Sequence, residues 1–390
     1  MSKRSRVQNV TDVLLIAGFA AAIALPLSGD VFRLKIGPDL VEQRVPAPAP
    51  IWRQDSIFTL PAKFEKFYDD HFAFRNVLIL AHNMLKRGLM RVSSEKVLIG
   101  KDDWLFYQPD TTDDLLGQSP LTPAGVESWR RAIEGRMAWL GERRVPYLFL
   151  LAPNQATLYP EYLPNWVRVN RSRTRRDEFL ELVHRCPELA ILDPTAALIA
   201  AKSQGLVYPP QGTHWSGWGS YTVYREVVQW LSQRRPGLTA PPLSAFALGN
   251  ATSGYDLLDM LGLPRPDADT LSAEQIVPKM GWQAHPADMA VPPALEGIEP
   301  TQIWALENER EHGRLLVMGD SFLSRRLGFS RLLAEHFRRS VFVARAWTYN
   351  SLPQLVAQEH PDFVIEELVE RNLGRVAARR RDESVEAPSP

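Results

Sequence analysis

The sequence predicts an α/β fold, a mainly parallel sheet with helices on both faces, and three observations carry that prediction. From Thr122 onward, short runs of strand-forming residues alternate with helix-length segments, the pattern of βαβ units. One such run, Arg314-Leu315-Leu316-Val317-Met318, ends directly in Gly319-Asp320-Ser321-Phe322. That order sets a hydroxyl at the carboxyl end of a buried strand, where open α/β sheets carry their sites. His214, in Gln211-Gly212-Thr213-His214-Trp215-Ser216, opens a helix elsewhere in the chain, and a serine nucleophile needs such a base within hydrogen-bond reach.

The chain has 390 residues, enough for one large core, or for one core with a decorated insertion. Its 45% hydrophobic content argues against extensive disorder. A formal net charge of zero argues against a nucleic-acid binder relying on bulk charge. Cys186 stands alone, so no intrachain disulfide forms, and no zinc spacing is present.

At the amino terminus, Lys3, Arg4 and Arg6 precede an uncharged run from Val13 to Leu27, bracketed by Asp12 and Asp30. That run is at the short end of the roughly 17–25 residues that span a bilayer. Positive charge on its leading side predicts a cytoplasmic segment 1–12 and export of the chain beyond the run. Residues 13–29 therefore read as a signal anchor, one N-terminal transmembrane helix. Ala22-Ile23-Ala24 has the small-x-small form of a cleavage site, but it lies inside the apolar run, which favours the uncleaved reading.

Residues 30–61 form a proline-rich linker with Pro38, Pro46, Pro48, Pro50 and Pro61. An amphipathic helix is expected from Phe64 to about Leu89. Asp69, Asp70, His71 and Arg75 within it match no common metal spacing and read as a cap network. Residues 97–107 read as a hairpin turning at Asp102-Asp103. Helices are then expected at 122–141, 174–186, 217–233, 325–338 and 352–359. The intervening strands are expected at 147–151, 190–192, 314–318, 341–344 and 363–365. Between Pro236 and Ile303 the alternation fails, and this turn-rich stretch is read as an insertion, 236–303, packed over the active edge of the sheet. The basic, then Pro/Ser-rich tail, 376–390, is expected to be disordered.

Gly, Asp and Ser are turn residues, so Gly319-Asp320-Ser321 also suits a plain strand-to-helix turn, with Asp320 its brace at the site. The Ser321 N–H, at a helix start, is a candidate oxyanion donor. Tyr349 and Asn350 follow the next strand and are placed as site-lining residues. Trp215 and Trp218 are expected to pack the core, and Glu367 with Arg371 to form an ion pair.

Six segments occur in a telling order. The first three are Phe67-Tyr68-Asp69-Asp70-His71-Phe72-Ala73-Phe74-Arg75, Gly100-Lys101-Asp102-Asp103-Trp104-Leu105-Phe106-Tyr107, and Pro153-Asn154-Gln155-Ala156-Thr157-Leu158-Tyr159-Pro160. The last three are Thr213-His214-Trp215, Gly319-Asp320-Ser321-Phe322 and Glu366-Glu367-Leu368-Val369-Glu370-Arg371-Asn372. Each is weak alone; together, over roughly 60–375, they resemble the SGNH-hydrolase-like family of the alginate O-acetylation proteins AlgJ and AlgX. The histidine precedes the serine, the permuted order of that type. The resemblance implies an SGNH-hydrolase-like, flavodoxin-like domain over 62–375.

It also implies Ser321 as nucleophile and His214 as base in an O-acetyltransferase acting on an exported polysaccharide, alginate or another exopolysaccharide. The implied partner is a membrane-bound O-acyltransferase that supplies acetyl groups. The implied location is the bacterial inner membrane, with the catalytic domain in the periplasm. Such a mechanism calls for no metal and no nucleotide cofactor. The departures are Gln155, where the family often has lysine, and above all Gly212, where the family places the triad aspartate. That carboxylate orients the imidazole and stabilises its protonated form. Three outcomes fit its absence: Asp256 or Asp259 of the insertion replaces it, a backbone carbonyl orients His214, or catalysis is lost. An inert polysaccharide-binding scaffold and a carbohydrate acetyl-esterase are therefore the alternatives.

Overall fold

A computed structural model describes residues 10–20, 45–51, 56–85, 93–109, 111–251, 254–265, 273–297, 299, 301–323, 328–344 and 351–374. The chain divides into two compact units, Met1–Ser93 with Leu258–Arg265, and Ser94–Leu257 with Pro266–Pro390.

In the first unit, residues 10–20 are helical and expose Val13, Leu14, Leu15, Ile16 and Phe19. Among the described residues no helix is long and apolar enough to cross a membrane. Residues 21–29 of the expected anchor, and much of the linker, lie outside the described residues. The single helix expected over 64–89 is two helices, α1 (Leu60–His71) and α2 (Arg75–Leu85). Phe72 turns to extended backbone, φ −65° and ψ 144°. Side chains meet the freed carbonyls there: Arg75 Nε donates to Asp69 O at 2.9 Å, and His71 Nδ1 lies 2.8 Å from Phe67 O. Asp70 accepts from the Ala47 N–H at 2.8 Å. The acidic cluster thus braces a helix break.

The second unit opens with the antiparallel hairpin β1 (Val97–Ile99) and β2 (Leu105–Tyr107). Asp102 and Asp103 take left-handed φ values of 49° and 60° in its turn, a conformation aspartate tolerates better than most residues. The later strands are β3 (Tyr147–Ala152), β4 (Ile191–Leu192), β5 (Phe246–Ala251), β6 (Ala273–Pro278), β7 (His285–Ala287), β8 (Ile303–Glu307), β9 (Arg314–Met318), β10 (Arg339–Val343) and β11 (Phe363–Val369). Seven of them form one sheet in the order β4-β3-β11-β9-β10-β8-β7. The run from β4 to β10 is parallel, while β8 and β7 pair antiparallel.

Alternate side chains of each strand feed opposite faces. Leu148, Leu150, Leu315, Val317, Phe342 and Ile365 belong to one core, with α5 (Gly217–Ser232) and α7 (Gly328–Ala334) over it. Phe149, Leu151, Leu316, Met318, Val341 and Val364 belong to the other, beneath α3 (Pro123–Gly141), α4 (Arg175–Arg185) and α8 (Leu352–Glu359). Both faces are covered, which is why the central strands read as continuous apolar runs. Trp215 and Trp218 are buried in the first of these cores.

Two corrections concern the strands. The last was expected to end at Ile365, before two glutamates, but β11 runs on to Val369 with both buried. Glu366 is satisfied by Arg136, at 2.5 Å, and by the Tyr147 hydroxyl. The insertion was expected to pack over the active edge. Only part of it does: β5 and β6 pair antiparallel with β6 against α5 and α7, and β7 extends the sheet. Pro286 is tolerated in β7 because that strand is the sheet's edge. The segment Gly254–Leu257 is the part that meets the His214 loop, where Leu257 N–H donates to Gln211 O at 3.1 Å.

Candidate active site

Strand β9 delivers Gly319, Asp320 and Ser321 to its carboxyl end, and Ser321–Leu323 closes a single 3₁₀ turn. Three constraints fix that turn. Gly319 leaves no room for a side chain: a Cβ there would lie 2.6 Å from Glu367 Oε2 and from Leu323 Cδ1. The Asp320 carboxylate accepts from Phe322 N–H at 3.1 Å, Val369 N–H at 2.9 Å and Asn372 Nδ2 at 2.9 Å. Asp320 N–H donates to Glu367 Oε2 at 3.1 Å. Asp320 is thus a buried brace that fastens the serine turn to the end of β11, while Ser321 itself is exposed.

The His214 loop is fastened independently. Leu105 N–H of the β-hairpin donates to Pro210 O at 2.9 Å, and Gln155 Nε2 donates to Pro209 O at 2.8 Å. Ser216 caps α5 by accepting from Gly219 N–H at 3.0 Å. Trp215 packs edge-on against Phe322 at 4.8 Å between ring centroids and against Phe329 at 5.3 Å. Serine turn and histidine loop therefore meet around Phe322, whose ring also contacts those of Tyr208 and His214. His214 Nε2 lies 2.9 Å from Ser321 Oγ, within reach for direct proton transfer.

Behind the imidazole stands Asp256, the first residue of α6 (Asp256–Met260). Its Oδ2 is 3.6 Å from His214 Nδ1 and accepts from the Thr213 hydroxyl. Thr213 Oγ1 lies 3.0 Å from His214 Nδ1. Thr213 N–H also donates to Asp256 Oδ1 at 3.0 Å. Burial alone pushes the Asp256 carboxyl up, but interactions with His214 and hydrogen bonds from Thr213 outweigh it and hold the pKa below the usual range. Gly212 offers no space for the family's aspartate. A Cβ there would meet Gly254 O and Pro209 Cγ at 2.7 Å.

Among the other residues singled out from sequence, Asp259 pairs with Arg265 at 2.7 Å. Tyr349 and Asn350 lie outside the described residues. The expected Glu367–Arg371 ion pair does not form. Arg371 Nη1 donates instead to Asn154 Oδ1 at 2.9 Å, and its guanidinium lies over the Phe322 ring at 5.4 Å. Burial, then the charge of Asp320, push the Glu367 carboxyl well above its usual range, and its Oε2 is engaged by the Asp320 N–H rather than by Arg371. A small recess is lined in part by Tyr107, Asn154, Gln155, Thr213 and Arg371.

Sequence reasoning missed Thr213, Asn372 and Asn154. Thr213 carried one signal, a hydroxyl beside the candidate base. The other two act through partners 52 and 217 residues away, which no local pattern exposes.

A family model described as SGNH hydrolase-like domain, acetyltransferase AlgX, matches residues 97–370. Over 160 residues the chain is 28% identical to the protein named probable alginate O-acetylase AlgJ of Pseudomonas aeruginosa, covering 41% of this chain and 39% of that one. Over 216 residues it is 24% identical to the protein of the same name from Pseudomonas syringae pv. tomato, covering 52% and 53%. These matches span about half the length or less of those relatives. Among solved structures, Bacillus cereus PatB1 superposes with a TM-score of 0.50 at 16% identity, over 71% of this chain and 96% of that one.

Proposed function

This chain belongs to the family of SGNH hydrolase-like domains of the acetyltransferase AlgX, and from that premise we propose that it O-acetylates an exported polysaccharide through an acetyl-Ser321 intermediate. The observation that carries this reading is the 2.9 Å contact between His214 Nε2 and Ser321 Oγ. Ser321 Oγ attacks the acetyl carbonyl of a donor as its proton passes to His214 Nε2. The Ser321 N–H, opening the 3₁₀ turn, supports the oxyanion. His214 returns the proton to the leaving group, and an ester remains on Ser321. A sugar hydroxyl then loses its proton to His214 and attacks the ester carbonyl; the bond from the acyl carbon to Ser321 Oγ breaks, His214 returns the proton to Oγ, and the acetylated sugar departs. No step draws on a metal or a nucleotide.

The donor side of this reading is a membrane-bound O-acyltransferase, and the location is the periplasmic face of a bacterial inner membrane. Support for the location comes from Lys3, Arg4 and Arg6 ahead of an apolar run and from the exposed apolar side chains of residues 10–20. Alginate is the first polymer to test, given the names of the relatives. A second reading, acetyl-esterase, is favoured by one observation: Ser321 is exposed, so water reaches the ester as readily as a sugar does.

The deciding experiment supplies a chromogenic acetyl ester to the full chain in mild detergent, with and without polymannuronate oligosaccharide. The expected result is an acetyl mass increment on Ser321, lost in S321A, and acetylated oligosaccharide formed in excess of free acetate. Free acetate alone selects the esterase. No adduct and equal rates for wild type and S321A select a binding scaffold.

A further inference from the structure

We propose that Thr213 is a positioning residue whose hydroxyl relays the Asp256 carboxylate to His214, so that the insertion supplies the site's acid through a threonine. The proposal rests on the reading of Ser321 and His214 as a working pair. Its basis is a count of protons. An ionised carboxylate only accepts hydrogen bonds, so the Thr213 hydroxyl hydrogen is committed to Asp256 Oδ2. What Thr213 Oγ1 presents to His214 Nδ1, 3.0 Å away, is then a lone pair. Nδ1 must carry the imidazole hydrogen and donate it to Oγ1. Nε2 is left bare, facing Ser321 Oγ at 2.9 Å, the tautomer a general base requires.

The direct route is the weaker one. Asp256 Oδ2 stands 3.6 Å from Nδ1, beyond a hydrogen bond, though near enough to stabilise the imidazolium by charge. Thr213 is held for the task at two points, since its N–H donates to Asp256 Oδ1 at 3.0 Å as well. Leu257 N–H to Gln211 O, 3.1 Å, ties the same two segments again. Gly212 completes the case, because Gly254 O occupies the space an aspartate there would need. Among the described residues Asp256 is the carboxylate within 4.0 Å of the imidazole.

The test measures kcat, KM and the pH profile of kcat/KM for ester turnover by the full chain as wild type, T213V, T213S, D256N, T213V/D256N and S321A. The expected result is that T213V lowers kcat about 10–100-fold at nearly unchanged KM and moves the acid limb of the profile to lower pH. T213S, which keeps the hydroxyl, recovers most of the rate and the wild-type limb. D256N moves the limb in the same direction as T213V, and the double variant is no worse than about threefold below the poorer single one. Wild-type kcat and profile in T213V, with D256N impaired, would overturn the relay in favour of a direct pair. Wild-type behaviour in both variants would overturn any role for Asp256. Undiminished turnover by S321A would remove the Ser–His pair itself, a different failure from either.

Discussion

Gly212 and Gly319 are filled out by their neighbours. At Gly212 the obstacle is backbone, Gly254 O at 2.7 Å from an added Cβ, so restoring the family's aspartate does not restore its geometry. G212D and G212A are both expected to cost about 1–3 kcal/mol in stability, read by urea unfolding, and to lower ester turnover. A gain in activity by G212D would contradict the crowding. At Gly319 an added Cβ meets Glu367 Oε2 and Leu323, so G319A is expected to destabilise by a similar amount. E367Q puts an amide where burial and the charge of Asp320 push a carboxyl well above its usual range, and is expected to change stability less than G319A does. Ser321 and His214 were legible in sequence because each ends a local pattern, an apolar strand in one case and a helix cap in the other. Thr213 was not, since the meaning of its hydroxyl depends on a residue 43 positions later.

Elements were legible where their periodicity was unbroken. The helix over 217–233 and the strand over 314–318 match α5 and β9 nearly residue for residue. Boundaries failed where a charge or a cap decided them. β11 continues through Glu366 and Glu367 because Arg136 and Tyr147 satisfy the first and the Asp320 N–H donates to the second. β8, with its run Ile303-Trp304-Ala305-Leu306, went unread because it joins β10 antiparallel, outside the alternating βα rhythm. The α5–α7 layer carries a pH prediction. His336, just after α7, lies against the Tyr224 hydroxyl of α5. Burial, then the charge of Arg235, lower its pKa from 6.5 to about 4. A depressed folded value means the neutral ring contributes stability that is present above pH 6.5 and lost as pH falls through about 4. H336Q should therefore lose less stability than wild type between pH 7 and pH 4, by up to about 3 kcal/mol. Parallel denaturation curves at the two pH values measure the difference, and identical losses would count against it.

On the scale of the molecule, the α/β class and the parallel centre of the sheet came from alternation alone, whereas the course of the insertion did not, since proline-rich sequence carries no period to read. If the amino-terminal segment is the anchor we propose, the full chain expressed in bacteria pellets with membranes, resists alkaline carbonate and is released by detergent; release by carbonate would sink that placement. The meeting of Gly212 with Gly254 and Asp256 bears on how such proteins are sorted. A search that demands an acidic residue two places before the histidine files this chain among the dead relatives. On the relay proposed above, the acid has changed address rather than vanished. Inventories of pseudoenzymes built on one-dimensional signatures will miscount wherever a donor side chain arrives from another stretch of the polymer.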